Sequence, residues 1–91
     1  MRFEWDPNKA AINFQRHQVS FEEAIEAFFD PNALDDYDAA HSGAEDRYNL
    51  IGLSSRRLLF VVYKEVAAEV IRIISARRAD DQLRRLYEQR G

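Results

Sequence analysis

The sequence predicts an α+β fold in which two N-terminal helices pack on an antiparallel β-sheet meander and a C-terminal helix closes the chain. Three observations carry this. Two helix starts with apolar residues at helical spacing occupy the first thirty residues. Three runs rich in Val, Ile, Leu, Tyr and Phe follow between residues 47 and 75, separated by short polar turns, and a helical stripe returns over residues 80–90. With 91 residues, 46% of them hydrophobic, the chain has material for one small core, so residues 1–91 are expected to form a single domain.

The elements follow in order. Phe3-Glu4-Trp5 alternates like a short strand, and Asp6-Pro7 supplies an N-cap with proline at the first helical position. The first helix is expected to run to about His17, with Ala10, Ala11 and Phe14 turned to the core. Ser20 and Glu23 match a capping box, and Phe21, Ala24, Ile25 and Phe28 recur at helical spacing, which places a second helix over about 20–29. Asp30-Pro31-Asn32 stops it. Residues 33–38 then read as a short acidic strand, followed by a polar loop around His41-Ser42-Gly43. Strands are expected over 47–53, 57–64 and 69–75. Asp80 and Asp81 suit the positive end of the last helix, which Leu83, Leu86 and Tyr87 give an apolar stripe.

Composition excludes several classes of function. The chain has no cysteine and two histidines, His17 and His41, so thiolate metal sites, disulfides and cysteine nucleophiles are unavailable. No metal or cofactor is implied. The longest apolar run, residues 58–63, is too short to span a bilayer, and Met1 to Asp6 has no apolar signal core, so a cytoplasmic protein is expected. The net charge of −3 hides a division. Residues 1–46 carry three bases against eleven acids and residues 47–91 ten bases against five acids, and nine of those ten bases are arginine. If folding keeps the basic half partly on one face, that face suits a polyanion; the alternative is mutual neutralisation within the domain.

The run Arg72-Ile73-Ile74-Ser75-Ala76-Arg77-Arg78-Ala79 reads as a buried strand that delivers guanidinium groups where a helix is about to begin, a place to hold phosphate. Arg47, Arg72 and Arg77 are charges within or at the ends of strands and need a partner or an opening to solvent. Glu45, Asp46, Glu69 and the acids at 35–38 are the competing ion-pair partners, and Lys64 reads as solvated at a strand end. His17, expected exposed at the end of the first helix, is the stronger acid–base candidate; His41 lies in a loop without a supporting pattern. Nothing resembles a P-loop or a nucleophile elbow.

The opening Phe3-Glu4-Trp5-Asp6-Pro7-Asn8-Lys9-Ala10, then Asn13, Arg16 to Ala24, Arg47-Tyr48 with Ile51-Gly52, Ile71 to Ala79 and Tyr87-Glu88 together resemble the BrnT family of toxins over nearly the whole chain. The resemblance implies a type II toxin with a RelE-like fold that cleaves RNA without metal and inhibits translation. It also implies a separately encoded BrnA-type antitoxin, through which alone operator DNA would be bound. The implied chemistry is attack of a ribose 2′-hydroxyl on the adjacent phosphate. His17 fits base or acid, Arg47, Arg72 and Arg77 fit the cationic role, and Arg78, Tyr87 and Lys64 fit substrate contacts. Gln18 stands where the family commonly has glycine, Lys64 where threonine is common, and Leu83 where relatives usually carry glutamate. The last departure keeps a second reading open, a catalytically weak homologue serving as an antitoxin-binding module. A DNA-binding regulator acting alone is disfavoured, because no helix combines a basic face with recognition-helix character.

Overall fold

The computed structural model describes residues 1–89. It contains strand β1 (Arg2–Glu4), helices α1 (Pro7–His17) and α2 (Phe21–Ala27), strand β2 (Leu34–Tyr37), a 3₁₀ turn (Ala39–His41), strands β3 (Arg47–Leu53), β4 (Leu58–Ala67) and β5 (Val70–Arg78), and helix α3 (Asp81–Gln89). The α+β class stands, with a sheet order β1-β5-β4-β3-β2. The meander is antiparallel from β2 to β5, but β1 joins β5 in parallel, so the sheet is mixed. Arg90, expected in the last helix, lies outside the described residues. Among those residues, no helix is long and apolar enough to cross a membrane.

The helix starts are built as the sequence indicates. The Asp6 carboxylate accepts from the Asn8 N–H at 2.8 Å, Ser20 Oγ from the Glu23 N–H at 3.0 Å and Asp80 Oδ1 from the Leu83 N–H at 2.9 Å. The capping box is only half formed, because the Glu23 carboxylate is engaged by Arg57 and Ser54 across the chain.

One sheet face carries the main core. Val19, Phe21, Ala24 and Ala27 pack on Leu50, Leu59, Val61, Ile71, Ile73 and Ala76. Fully burying side chains of the size of Phe21, Leu59 and Ile73 stabilises by roughly 1.5–3 kcal/mol each. Gly52 is required where α2 meets β3, since a Cβ there would lie 2.6 Å from the Ala27 carbonyl oxygen.

The first helix departs from its expected core face. Phe14 is 51% exposed and Ala11 is exposed, while Asn13 is buried. β1 pairs only with Val70 to Arg72. Further along β5 the Asn13 carboxamide serves as a surrogate strand: its Nδ2 donates to the Ala76 and Val19 carbonyls at 2.9 Å, and its Oδ1 accepts from the Ala76 N–H at 3.0 Å. A polar residue is buried here because the strand edge would otherwise hold unpaired peptide groups.

The last helix lies on the opposite face. Leu83 and Leu86 join Leu34, Ile51 and Phe60 around a groove of about 470 Å³, and the Tyr87 hydroxyl donates to Asp30 Oδ2 at 2.5 Å. α3 thus sits over the β2–β3 side of the sheet.

Candidate active site

β5 does not end at Ser75 as expected; it continues through Arg78, and α3 starts only at Asp81. Arg77 and Arg78 are therefore strand residues. Strand alternation would send Arg72 and Arg77, five positions apart, to opposite faces. A register shift prevents this: Val62 is opposite Ser75 while its neighbour Tyr63 is opposite Ile73, so Ile74 is the extra residue of a β-bulge. The bulge keeps Ile71, Ile73 and Ala76 in the core and turns Arg72, Ser75 and Arg77 to the other face.

That second face gathers most of the candidate charges. Arg47, Lys64 and Arg72 are directly opposite one another on β3, β4 and β5, a row of three positive side chains across adjacent strands. Like charges so placed destabilise a sheet unless counter-charges are supplied. Lys64 Nζ meets Glu45 at 3.1 Å, and Arg72 donates from Nε and Nη2 to Glu4 Oε2 at 2.9 and 2.7 Å. These are exposed pairs of the kind worth about 0–1 kcal/mol. The partner of Arg72 is thus the β1 acid beside it, and not one of the acids the sequence nominates. Arg47 is treated differently: its Nε is buried with no hydrogen-bond partner. Two rows away the Arg77 guanidinium lies over the Phe60 ring, 4.7 Å from the centroid, and the ring holds it by cation–π attraction.

The remaining candidates lie elsewhere. His17 is exposed at the end of α1, on the helix-covered side of the sheet. Arg78 pairs with Leu59 of the core face and so faces that side too. The Tyr87 phenol is committed to Asp30; burial and the neighbouring carboxylate push its pKa up to about 12.

The structure instead brings His41 to the arginines. Asp38, His41, Arg47, Asn49, Phe60 and Val62 line a pocket of about 360 Å³ that shares Asn49 and Phe60 with the groove under α3. Asp38 caps the 3₁₀ turn that carries His41, and His41 Nδ1 lies 2.9 and 3.1 Å from the two Asp38 carboxylate oxygens. Ser42 fastens the turn to the sheet, its hydroxyl donating to the Asp38 carbonyl and accepting from the Arg47 N–H. Periodicity gave no sign of this; the signal available was an Asp three residues before the histidine, a capping spacing.

Over residues 5–82 the sequence matches the family described as "Ribonuclease toxin, BrnT, of type II toxin-antitoxin system". The chain belongs to the BrnT family. Its fold is similar to that in the crystal structure of the Brucella abortus ribonuclease toxin BrnT, with a TM-score of 0.62 and 24% identity, covering 89% of this chain and 99% of that one. No curated protein matched the chain. The family is one of ribonuclease toxins of type II toxin–antitoxin systems, which brings with it an RNA substrate and an antitoxin partner.

Proposed function

We propose that this BrnT-family protein is a RelE-like endoribonuclease that cleaves RNA without a metal ion, so inhibiting translation, and is silenced by a BrnA-type antitoxin. The observation that carries the reading is the cationic row Arg47, Lys64 and Arg72 with Arg77 beside it, on the sheet face opposite α1 and α2. Guanidinium groups fixed on a sheet can take up the negative charge that develops on a phosphate under attack, the role a metal fills in other nucleases. Arg47 and Arg77 supply this charge, and Arg72 and Lys64 exchange their weakly held carboxylates for substrate phosphates. His17 and Arg78 would contact RNA only where it passes round to the helix-covered side, and Tyr87 only beside α3.

The test is incubation of the purified chain, without partner, with a fluorescent RNA in excess EDTA. Cleavage is expected, and the Arg72→Ala/Arg77→Ala double variant is expected to lose it. Undiminished cleavage by that variant, once shown to be folded, would remove the arginines from the reaction.

A second reading, a catalytically weak homologue that serves as an antitoxin-binding module, is favoured by Leu83. This residue lines the groove with Ile51 and Phe60 where an acid is usual in relatives. The same EDTA assay separates the two. An antitoxin that covers the arginine face would meet it with acids, so association is expected to weaken with added salt. Salt-insensitive binding would put the interface elsewhere.

A further inference from the structure

We infer that His41, held by Asp38 and facing Arg47, is the general base of the cleavage reaction, and that His17 is not. The inference rests on the ribonuclease reading above and assigns its acid–base chemistry to a residue that sequence pattern left aside.

Three features of the geometry support it. First, a carboxylate can only accept hydrogen bonds, so the imidazole nitrogen within 2.9 and 3.1 Å of the Asp38 oxygens must be the protonated one. Asp38 therefore fixes the Nδ1–H tautomer of neutral His41 and leaves the Nε2 lone pair free to take a proton. Second, the imidazole is 67% exposed while Asp38 is only 15% exposed, so the orienting group is sheltered and the reactive one is accessible. Third, the pocket that His41 lines is also lined by Arg47, whose buried Nε has no partner in the protein, and by Phe60, on which Arg77 rests. A base and a cation at a common pocket, with a second cation against one of its walls, are the parts an in-line attack on a phosphodiester needs. His17 has no such company, since α1 stands on the other side of the sheet.

The step balances without a further reagent. The ribose 2′-hydroxyl gives its proton to His41 Nε2 as the P–O2′ bond forms and the P–O5′ bond breaks. The departing 5′ oxygen takes a proton from solvent water. The products are a 2′,3′-cyclic phosphate end and a 5′-hydroxyl end, and the imidazolium returns its proton to solvent. Arg47 and Arg77 face the phosphate oxygens. Asp38 is a positioning residue: it touches the imidazole and not the RNA.

The charged groups lining the pocket with His41 are Asp38 and Arg47, and Arg77 lies beyond them over Phe60.

The experiment compares wild type, His41→Gln, His41→Ala, His17→Gln and Asp38→Asn on one fluorescent RNA in EDTA, with circular dichroism melts to establish folding. His41→Gln is expected to slow cleavage by about 10²–10⁴-fold. His17→Gln is expected to slow cleavage far less than His41→Gln does. Added imidazole is expected to restore part of the activity of His41→Ala, which a merely structural histidine would not show. Asp38→Asn, which retains the cap but no longer fixes the Nδ1–H tautomer, is expected to lower kcat and leave KM unchanged. Full activity of His41→Gln, or loss of activity confined to His17→Gln, would overturn the assignment while leaving the ribonuclease reading in place. A folded wild type that cleaves no RNA would overturn that reading, and this assignment with it.

Discussion

Arg57 on one face of the sheet and Arg47 and Arg77 on the other are held in opposite ways. On the helix-covered side one edge of Arg57 is saturated: its Nε and Nη2 form a fork on the Glu23 carboxylate at 2.9 and 2.7 Å, and Nη2 also donates to the Gln18 carbonyl at 2.7 Å. The Ser54 hydroxyl completes the acid's shell at 2.7 Å. On the other side Arg47 keeps a buried Nε without a partner and Arg77 leans on an aromatic ring. A guanidinium edge whose every N–H meets a carboxylate or carbonyl serves stability, because desolvating it is offset within the protein. One held in place but left short of acceptors is available to an anionic ligand. The comparison teaches that the partners, and not the arginine content of the C-terminal half, separate an arginine held for stability from one left open to a ligand.

Breaking the saturated side should give the largest effect on stability. Arg57→Ala strands Glu23, which is 6% exposed, and is expected to cost about 3 kcal/mol, read as a lower midpoint in urea. Glu23 also gives the pair a pH signature. The Arg57 hydrogen bond, together with the Ser54 bond and against the opposing effect of burial, holds its pKa below the usual value of 4.5. The stabilisation is therefore complete above about pH 4.5 and is lost as pH falls through the depressed folded-state value. Wild type should lose more stability than Glu23→Gln between pH 7 and pH 3; parallel losses would show that the ion pair contributes little.

The open side should answer in activity instead. Arg77→Ala is expected to reduce RNA cleavage by about 10²-fold, near 3 kcal/mol of transition-state stabilisation, while stability changes by less than about 1 kcal/mol for the lost ring contact. A fall in melting temperature as large as that of Arg57→Ala would erase the distinction between the faces. Asn13→Ala tests the border between them. Leaving the Ala76 peptide groups and the Val19 carbonyl unsatisfied is expected to cost about 2 kcal/mol, because the carboxamide makes three buried bonds.

How much of this the sequence discloses depends on whether the signal is local. Helix starts at Asp6, Ser20 and Asp80 and the apolar runs of β3 to β5 were legible, because capping and periodicity act over a few residues. The parallel pairing of β1 was not: strand direction is settled by where α1 and the rest of the chain carry it. Nor was the face of Arg77, which turns on one bulge residue, Ile74, whose side-chain type is that of any strand position. The burial of Asn13 depends on β1 being too short to cover β5. His41 was visible as a residue and passed over as a site, since its distinction is a contact with Asp38 within a short turn and a place beside Arg47 that only the fold of β3 supplies.

The smallest effect is expected at Gln18, and it sharpens the picture of the saturated side. This residue caps α1 in the left-handed region, with φ 59° and ψ 30°, its N–H donating to the Phe14 carbonyl. A side chain in that conformation costs roughly 1–2 kcal/mol, whereas glycine adopts it without a Cβ clash and costs roughly 0.4–1 kcal/mol more in unfolded-chain entropy. Gln18→Gly is therefore expected to raise stability by about 0.5 kcal/mol. Only an exposed bond from Gln18 Nε2 to the Gln15 carbonyl is given up, and the Gln18 carbonyl that Arg57 grips belongs to the backbone and is retained. A β-branched residue cannot relieve the strain, so Gln18→Val should fall below wild type in the same urea titration. A lower midpoint for Gln18→Gly would mean that the grip of Arg57 on this carbonyl depends on the stiffer residue, and that the cap and the buried ion pair form one cooperative unit.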